Sequence, residues 1–135
     1  MADKPMNVFD IAGRAMSAQL VRLNATASNM ANAGSGTGSE ATAYRAIKPV
    51  FRSVTQQPGV STVKVEQVVS SDAKPVRRHD PNHPLADKNG DVWEAAVDSS
   101  AELVEMIESA RMYQNNVQVL QTAKSLMLDT VRMGK

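Results

Sequence analysis

The chain has 135 residues, 15 basic against 14 acidic, a formal net charge of +1 and no cysteine. That length suits one modest domain, and the charge balance leaves no electrostatic footprint for nucleic acid or an anionic membrane. The lack of cysteine excludes disulfides, thiolate metal sites and a cysteine nucleophile, and an aromatic content of 4% excludes a large aromatic core.

The chain opens MADKPMNVFDIAGRAM, where Asp10, Gly13 and Arg14 interrupt every apolar run, so no cleaved secretory signal is expected. Nowhere does an apolar run approach the roughly 18 residues that a membrane-spanning helix needs. From Asn7, the residues Phe9, Gly13, Met16, Leu20, Leu23, Ala27 and Met30 alternate steps of four and three, a heptad seam that predicts a helix over 7–33. Asn7 is the predicted cap, and Asp10 places a negative charge in the first turn. Gly34, Gly36 and Gly38 then close the helix and predict a flexible connector over 34–43.

The next stretch reads as a small β-rich insert over 44–97. YRAIKPVFRSV and VSTVKVEQVV are short β segments joined through Pro58-Gly59, a pair suited to a type II turn, and Pro49 marks an edge or irregular strand. Asn89-Gly90 predicts another tight turn before Val92 and Trp93. From Ser99 the chain turns helical again. SSAE supplies Ser99 and Glu102 as a capping box, and Leu103, Met106, Ala110, Tyr113, Val117, Leu120, Lys124, Met127 and Val131 continue a seam that only Lys124 breaks. The predicted helix covers 99–133 within a C-terminal segment 98–135.

At 1.5 Å per residue the last helix is about 50 Å long, whereas a compact domain of this size has a radius of gyration near ~14 Å. The expected fold is therefore mainly α with a small β insert: two long terminal helices pair as an antiparallel coiled coil, and the insert sits where the chain turns back.

A seam alone implies only burial against a neighbour in the same chain, but the other helix faces say more. From Asn7 to Ala33 only Asp10, Arg14 and Arg22 are charged, and MYQNNVQVLQTA, from Met112 to Ala123, carries no charge. Gln, Asn, Ser and Thr are desolvated at far lower cost than ions when they find hydrogen bonds, and Ala15, Ala18, Ala25 and Ala31 permit close helix approach. These faces predict burial by further copies or related chains, joined head-to-tail because an interface that does not close by symmetry propagates.

Candidate chemistry is sparse. His79, Asp80, His83 and Asp87 are metal-ligating types, but Pro81 and Pro84 forbid the helix that would gather them, so no metal is expected. Glu102, Glu105 and Glu108 read as a charged helix face, and no acid and base pair emerges. GSGTGSE lacks the Lys-Ser/Thr of a phosphate loop, and Asn24-Ala25-Thr26 is a glycosylation triplet inside a helix. No catalytic residue, cofactor, small-molecule substrate or nucleic-acid partner is expected.

QLVRLNATASNMANA, followed by Thr37 and by Tyr44-Arg45, resembles the N-terminal signature of the flagellar rod, hook and other axial proteins. The match falls on Gln19, Arg22, Leu23, Asn24, Ser28, Asn29, Ala31, Asn32 and Tyr44, with Met30 in place of the usual Leu or Ile. DPNHPLADKNGDV and ARMYQNNVQVLQTAKSLMLDT extend the resemblance over essentially the whole chain, with Asp91 where the family usually has Tyr. The resemblance implies a non-enzymatic subunit of the proximal rod in the bacterial flagellar basal body. Such a subunit transmits torque across the periplasm, surrounds the export channel, and leaves the cell by flagellar type III export without signal cleavage. Implied partners are copies of itself, the other rod proteins (FlgB and FlgF of the proximal rod, FlgG of the distal rod, the base adaptor FliE) and the type III export apparatus.

The implied assembly and packing residues are Phe9, Met16, Leu20, Leu23, Asn29, Met30, Asn32 and Tyr44 in the N-terminal half. In the C-terminal half they are Leu103, Met106, Ala110, Tyr113, Asn116, Val117, Leu120 and Met127. Asn29, Asn32, Tyr113 and Asn116 are expected to make amide and packing contacts between subunits. The alternative reading is a secreted helical hairpin that regulates or chaperones flagellar export as a monomer. An enzyme of the rod region, such as a wall hydrolase, lacks a visible catalytic pair.

Overall fold

Asn7 and Asp10 decide where the first helix begins. In the computed structural model, which describes residues 6–135, the Asn7 side chain accepts from the Asp10 backbone N–H at 3.0 Å, and the Asp10 carboxylate accepts from the Asn7 N–H at 3.1 Å. This reciprocal box starts α1, Val8–Asn32. Five strands follow: β1, Gly36–Thr37; β2, Ile47–Gln57; β3, Val60–Ser70; β4, Val76–His79; and β5, Asp91–Glu94. The chain ends in α2, Ser99–Met133. Its cap is Asp98, one residue before the predicted Ser99, whose carboxylate accepts from the N–H groups of Ser100 and Ala101.

β2 and β3 form an antiparallel ribbon, irregular at Val50/Phe51 and again at Thr55/Gln57. Pro58-Gly59 makes its turn, and Gly59 has φ of +79°, the conformation that glycine reaches without strain. β1, β5 and β4 make a separate three-stranded antiparallel sheet in that order.

The two helices lie antiparallel. Arg22 of α1 grips Glu105 of α2 through its Nε and Nη2 atoms, and Val8 and Phe9 lie against the Asn115–Met127 stretch. α1 also packs against both strands of the ribbon. The ribbon's root, Ile47, is at Asn29, and Gln56 and Gln57 near its tip lie beside Phe9 and Asp10. α1 is thus the middle layer between α2 and the ribbon.

This corrects the expected fold class. The chain is not mainly α with a small β insert: helices of 25 and 35 residues stand against strands of 2, 11, 11, 4 and 4. The physical reason is the length of the ribbon. A strand of 11 residues spans about 35 Å, close to the roughly 37 Å of α1, so the ribbon lies along the helix instead of capping its end. The heptad seam of α1 is split for the same reason. Gly13, Leu20 and Ala27 of that seam are exposed, while Ala12, Ala18, Ala25, Thr26 and Asn29 are buried. The region read as a connector is structured too: Gly36–Thr37 pairs with β5, and Glu40–Thr42 forms a 3-10 turn.

Buried apolar residues are few and small. Ala12, Ala18, Ala25, Ala43, Ala46 and Ala95 join Val92, the one large apolar side chain that is fully buried among the described residues. Alanine at the crossings lets helix and strand backbones approach closely but removes little apolar area from water.

Candidate assembly surface

α2 presents two different faces along its length. Glu102, Glu105, Met106, Ser109, Ala110, Tyr113, Asn116, Val117, Leu120 and Ala123 are buried or half-buried, and this stripe faces α1. Flanking it, Leu103, Val104, Ile107, Met112 and Val119 are exposed. Beyond Ala123 the helix has no cover among the described residues, and every residue from Lys124 to Lys135 is exposed. Leu126, Met127, Leu128, Val131 and Met133 belong to that tail. A groove of about 740 Å³, walled by Val8, Phe9, Val119, Ala123, Leu126 and Met127, lies where α1 begins. Apolar side chains left in water over such a length mark a surface made to be covered.

The total area agrees. The chain exposes 9315 Å², where a folded monomer of 14.5 kDa exposes about 6900 Å². The excess of about 2400 Å² is more than the ~800 Å² that one partner gives to a standard interface.

The residues singled out from sequence divide into three groups. Phe9, Met16, Leu23, Met30, Met106, Ala110, Tyr113, Val117 and Leu120 are half-buried within the chain. Leu20, Leu103 and Met127 are 45%, 48% and 57% exposed and so remain open to partners. The amides are engaged within the chain. Asn29 is 1% exposed and bonds to both backbone groups of Ile47 and to the Tyr44 hydroxyl. Asn32 and Asn116 each donate to the carbonyl four residues earlier, of Ser28 and Met112. Asn29 therefore has no capacity left at its oxygen for a neighbouring subunit.

Sequence reasoning missed the Arg22–Glu105 pair and most of the exposed α2 flank. Val104, Ile107, Val119, Leu126 and Leu128 lie off the heptad seam, and the usable signal was their excess over what a two-helix seam needs. Between the two helices, around β4 and β5, His79 Nδ1 lies 2.9 Å from Asp91 Oδ1, and His83 Nδ1 accepts from the Leu85 N–H. The Asp87 carboxylate accepts from the N–H groups of Asn89 and Asp91. Each of these groups is occupied in holding its loop, and among the described residues no cluster of three potential ligands forms. The Asp91 N–H is the main cause that holds the Asp87 carboxyl below its usual value of 3.8; partial burial opposes it, and the Asn89 N–H adds to it.

Comparison with known proteins separates the candidates for such a surface. Residues 9–38 match the family described as flagella basal body rod protein, and residues 88–133 match the flagellar basal body rod FlgEFG protein C-terminal family. The flagellar basal-body rod protein FlgC of Yersinia enterocolitica is 48% identical over 96% of this chain and 98% of its own length. The chain belongs to the FlgC family of flagellar basal-body rod proteins. The FlgC proteins of Salmonella typhimurium and of Escherichia coli O6:H1 are each 46% identical over the same shares. Membership makes this FlgC-family chain a structural protein of the rod, located in the flagellar basal body. The two matched segments cover all of α1 but Val8 and the whole of α2, the elements that carry the uncharged faces and the apolar tail.

Proposed function

We propose that the chain builds the proximal part of the rod by burying the exposed flank and tail of α2, with Leu20 of α1, against neighbouring subunits in a tubular layer around the export channel. The neighbours are further copies and the other rod proteins, FlgB and FlgF in the proximal rod, FlgG in the distal rod and the adaptor FliE. The subunit reaches the periplasm through the flagellar type III export apparatus, carries torque, and catalyses nothing. The observation that carries this reading is the unbroken exposure of an apolar tail on α2, from Lys124 onward, in a chain of the rod family.

Covering this surface stabilises the subunit in the rod by removing apolar area from water, at about 25 cal/mol per Å² before the costs of association. The test is a variant with Leu126→Ser and Val131→Ser. Its circular dichroism as an isolated chain matches the parent, because both side chains are already in water. In cells that lack the native subunit it fails to enter purified basal bodies and fails to restore motility. Normal incorporation of a correctly folded variant contradicts the proposal.

A further inference from the structure

The ribbon β2–β3 lies along α1 with little of itself buried. Thr62 is its one buried residue, and the Thr62 hydroxyl has no hydrogen-bond partner among the described residues. Open clefts of about 570 and 560 Å³ run between ribbon and helix, walled by Arg14, Ser17, Ala18 and Val21 on one side and by Gln56, Val63 and Val65 on the other. The ribbon's own ion pair, Arg52 with Glu66, ties strand to strand and not ribbon to helix.

Against that loose background one residue is saturated. Asn29 Oδ1 accepts from the Ile47 N–H at 2.8 Å and from the Tyr44 O–H at 2.9 Å, and Asn29 Nδ2 donates to the Ile47 carbonyl at 3.0 Å. With its proton given to Asn29, the Tyr44 hydroxyl can only accept from Ser28 Oγ, 3.0 Å away. The amide pairs with Ile47 as a neighbouring strand would, at the first residue of β2. Among the described residues, no other hydrogen bond or ion pair joins the ribbon to α1.

We infer that Asn29 is a positioning residue, a latch that fixes the angle at which the ribbon leaves the helix, with Tyr44 and Ser28 holding its oxygen in place. When the latch opens, the ribbon swings as a unit about its root, residues 45–47 and 70–72, because the ladder between its strands is untouched. Each lost bond leaves a half-buried polar group of Ile47 without its protein partner, so the closed state depends on this amide as well as on apolar contact. This role belongs to the isolated chain and is independent of which subunits surround it.

The test uses the full chain, whose lack of cysteine allows clean labelling. Spin labels at Thr55→Cys, near the ribbon tip, and Asn24→Cys, on α1, report the distance across the seam. The parent shows one narrow distribution. Asn29→Ala broadens it, and exchange of the Ile47 amide accelerates on the order of tenfold.

Asn29→Asp separates a latch from mere packing, since it keeps the shape but as a carboxylate has no proton for the Ile47 carbonyl. Its distribution is broad at neutral pH and narrows in acid, where the neutral carboxyl donates again. The charged and titratable groups near this position are Arg22, Lys48, Glu102 and Glu105, which share its cleft, and Tyr44. The parent, measured over the same pH range, controls for them. A distribution as narrow as the parent's in Asn29→Ala, or one in Asn29→Asp that stays broad in acid while the parent stays narrow, overturns the inference.

Discussion

The sheet β1–β5–β4 and the tail of α2 are built on opposite terms. In the sheet, Val92 is fully buried, and a Cβ on Gly36 would come within 2.6 Å of Val92 Cγ1. The adjoining loop closes on itself through Asp87, whose carboxylate and carbonyl together take the N–H groups of Asn89, Asp91 and Gly90. The tail has helix hydrogen bonds and apolar side chains but no cover among the described residues, and Leu126, Met127, Leu128, Val131 and Met133 are all exposed. One region satisfies its groups among the described residues, while the other leaves apolar area in water, which the proposed assembly would bury. Rod membership makes sense of that division, because a subunit must hold a shape before assembly and keep an unpaid surface for it.

The contrast breaks most readily at the sheet. Val92→Ala removes two buried methyl groups and leaves a cavity, and costs about 2 kcal/mol. Urea denaturation followed by Trp93 fluorescence reads that loss, and an unchanged midpoint contradicts the core assigned to Val92. Gly36→Ala forces its Cβ to within 2.6 Å of Cγ1 of the fully buried, stiff Val92, and about 2 kcal/mol of overpacking is expected from the same measurement.

Asp98→Ala sharpens the comparison within a single helix. Loss of the cap costs about 1 kcal/mol and speeds amide exchange in the first turns of α2, while exchange in its tail stays as it was. Tail exchange that rises in step would mean that the helix opens as one unit. The smallest effect concerns pH. Hydrogen bonds lower the folded-state pKa of Asp87, so its contribution to stability is present above 3.8 and is lost as pH falls below that value through the folded one. Asp87→Asn flattens this part of the pH-stability profile, and an unchanged acid limb contradicts the hydrogen-bonded carboxylate.

Much of the helical part was legible in the residues. Expected spans of 7–33 and 99–133 fall within a residue of Val8–Asn32 and Ser99–Met133, because caps and periodicity are local signals. The β content was underestimated for a physical reason. Val76, Arg77, Arg78 and His79 are all exposed and show no alternation, and β4 exists only because β5 pairs with it and Arg78 reaches Glu94 at 3.0 Å. A seam read from one helix also cannot say how many neighbours that helix has. α1 has two, so Leu20 and Ala27 were left outside while Ala18 and Ala25 went in. Asn29 carries the sharpest lesson. An amide on an uncharged face fits an intersubunit contact and an intrachain one equally well, and only the return of Ile47, 18 residues later, reveals the intrachain bonds.

The central claim is that the tail of α2, left uncovered by the described residues, is covered by other subunits in the rod. Hydrogen exchange of residues 124–133, compared between the isolated chain and purified basal bodies, tests it directly. The account predicts fast exchange in the isolated chain, well ahead of Val92, and strong protection in the basal body. Protection equal to that of Val92 in the isolated chain, or fast exchange that persists in the assembled rod, would contradict it.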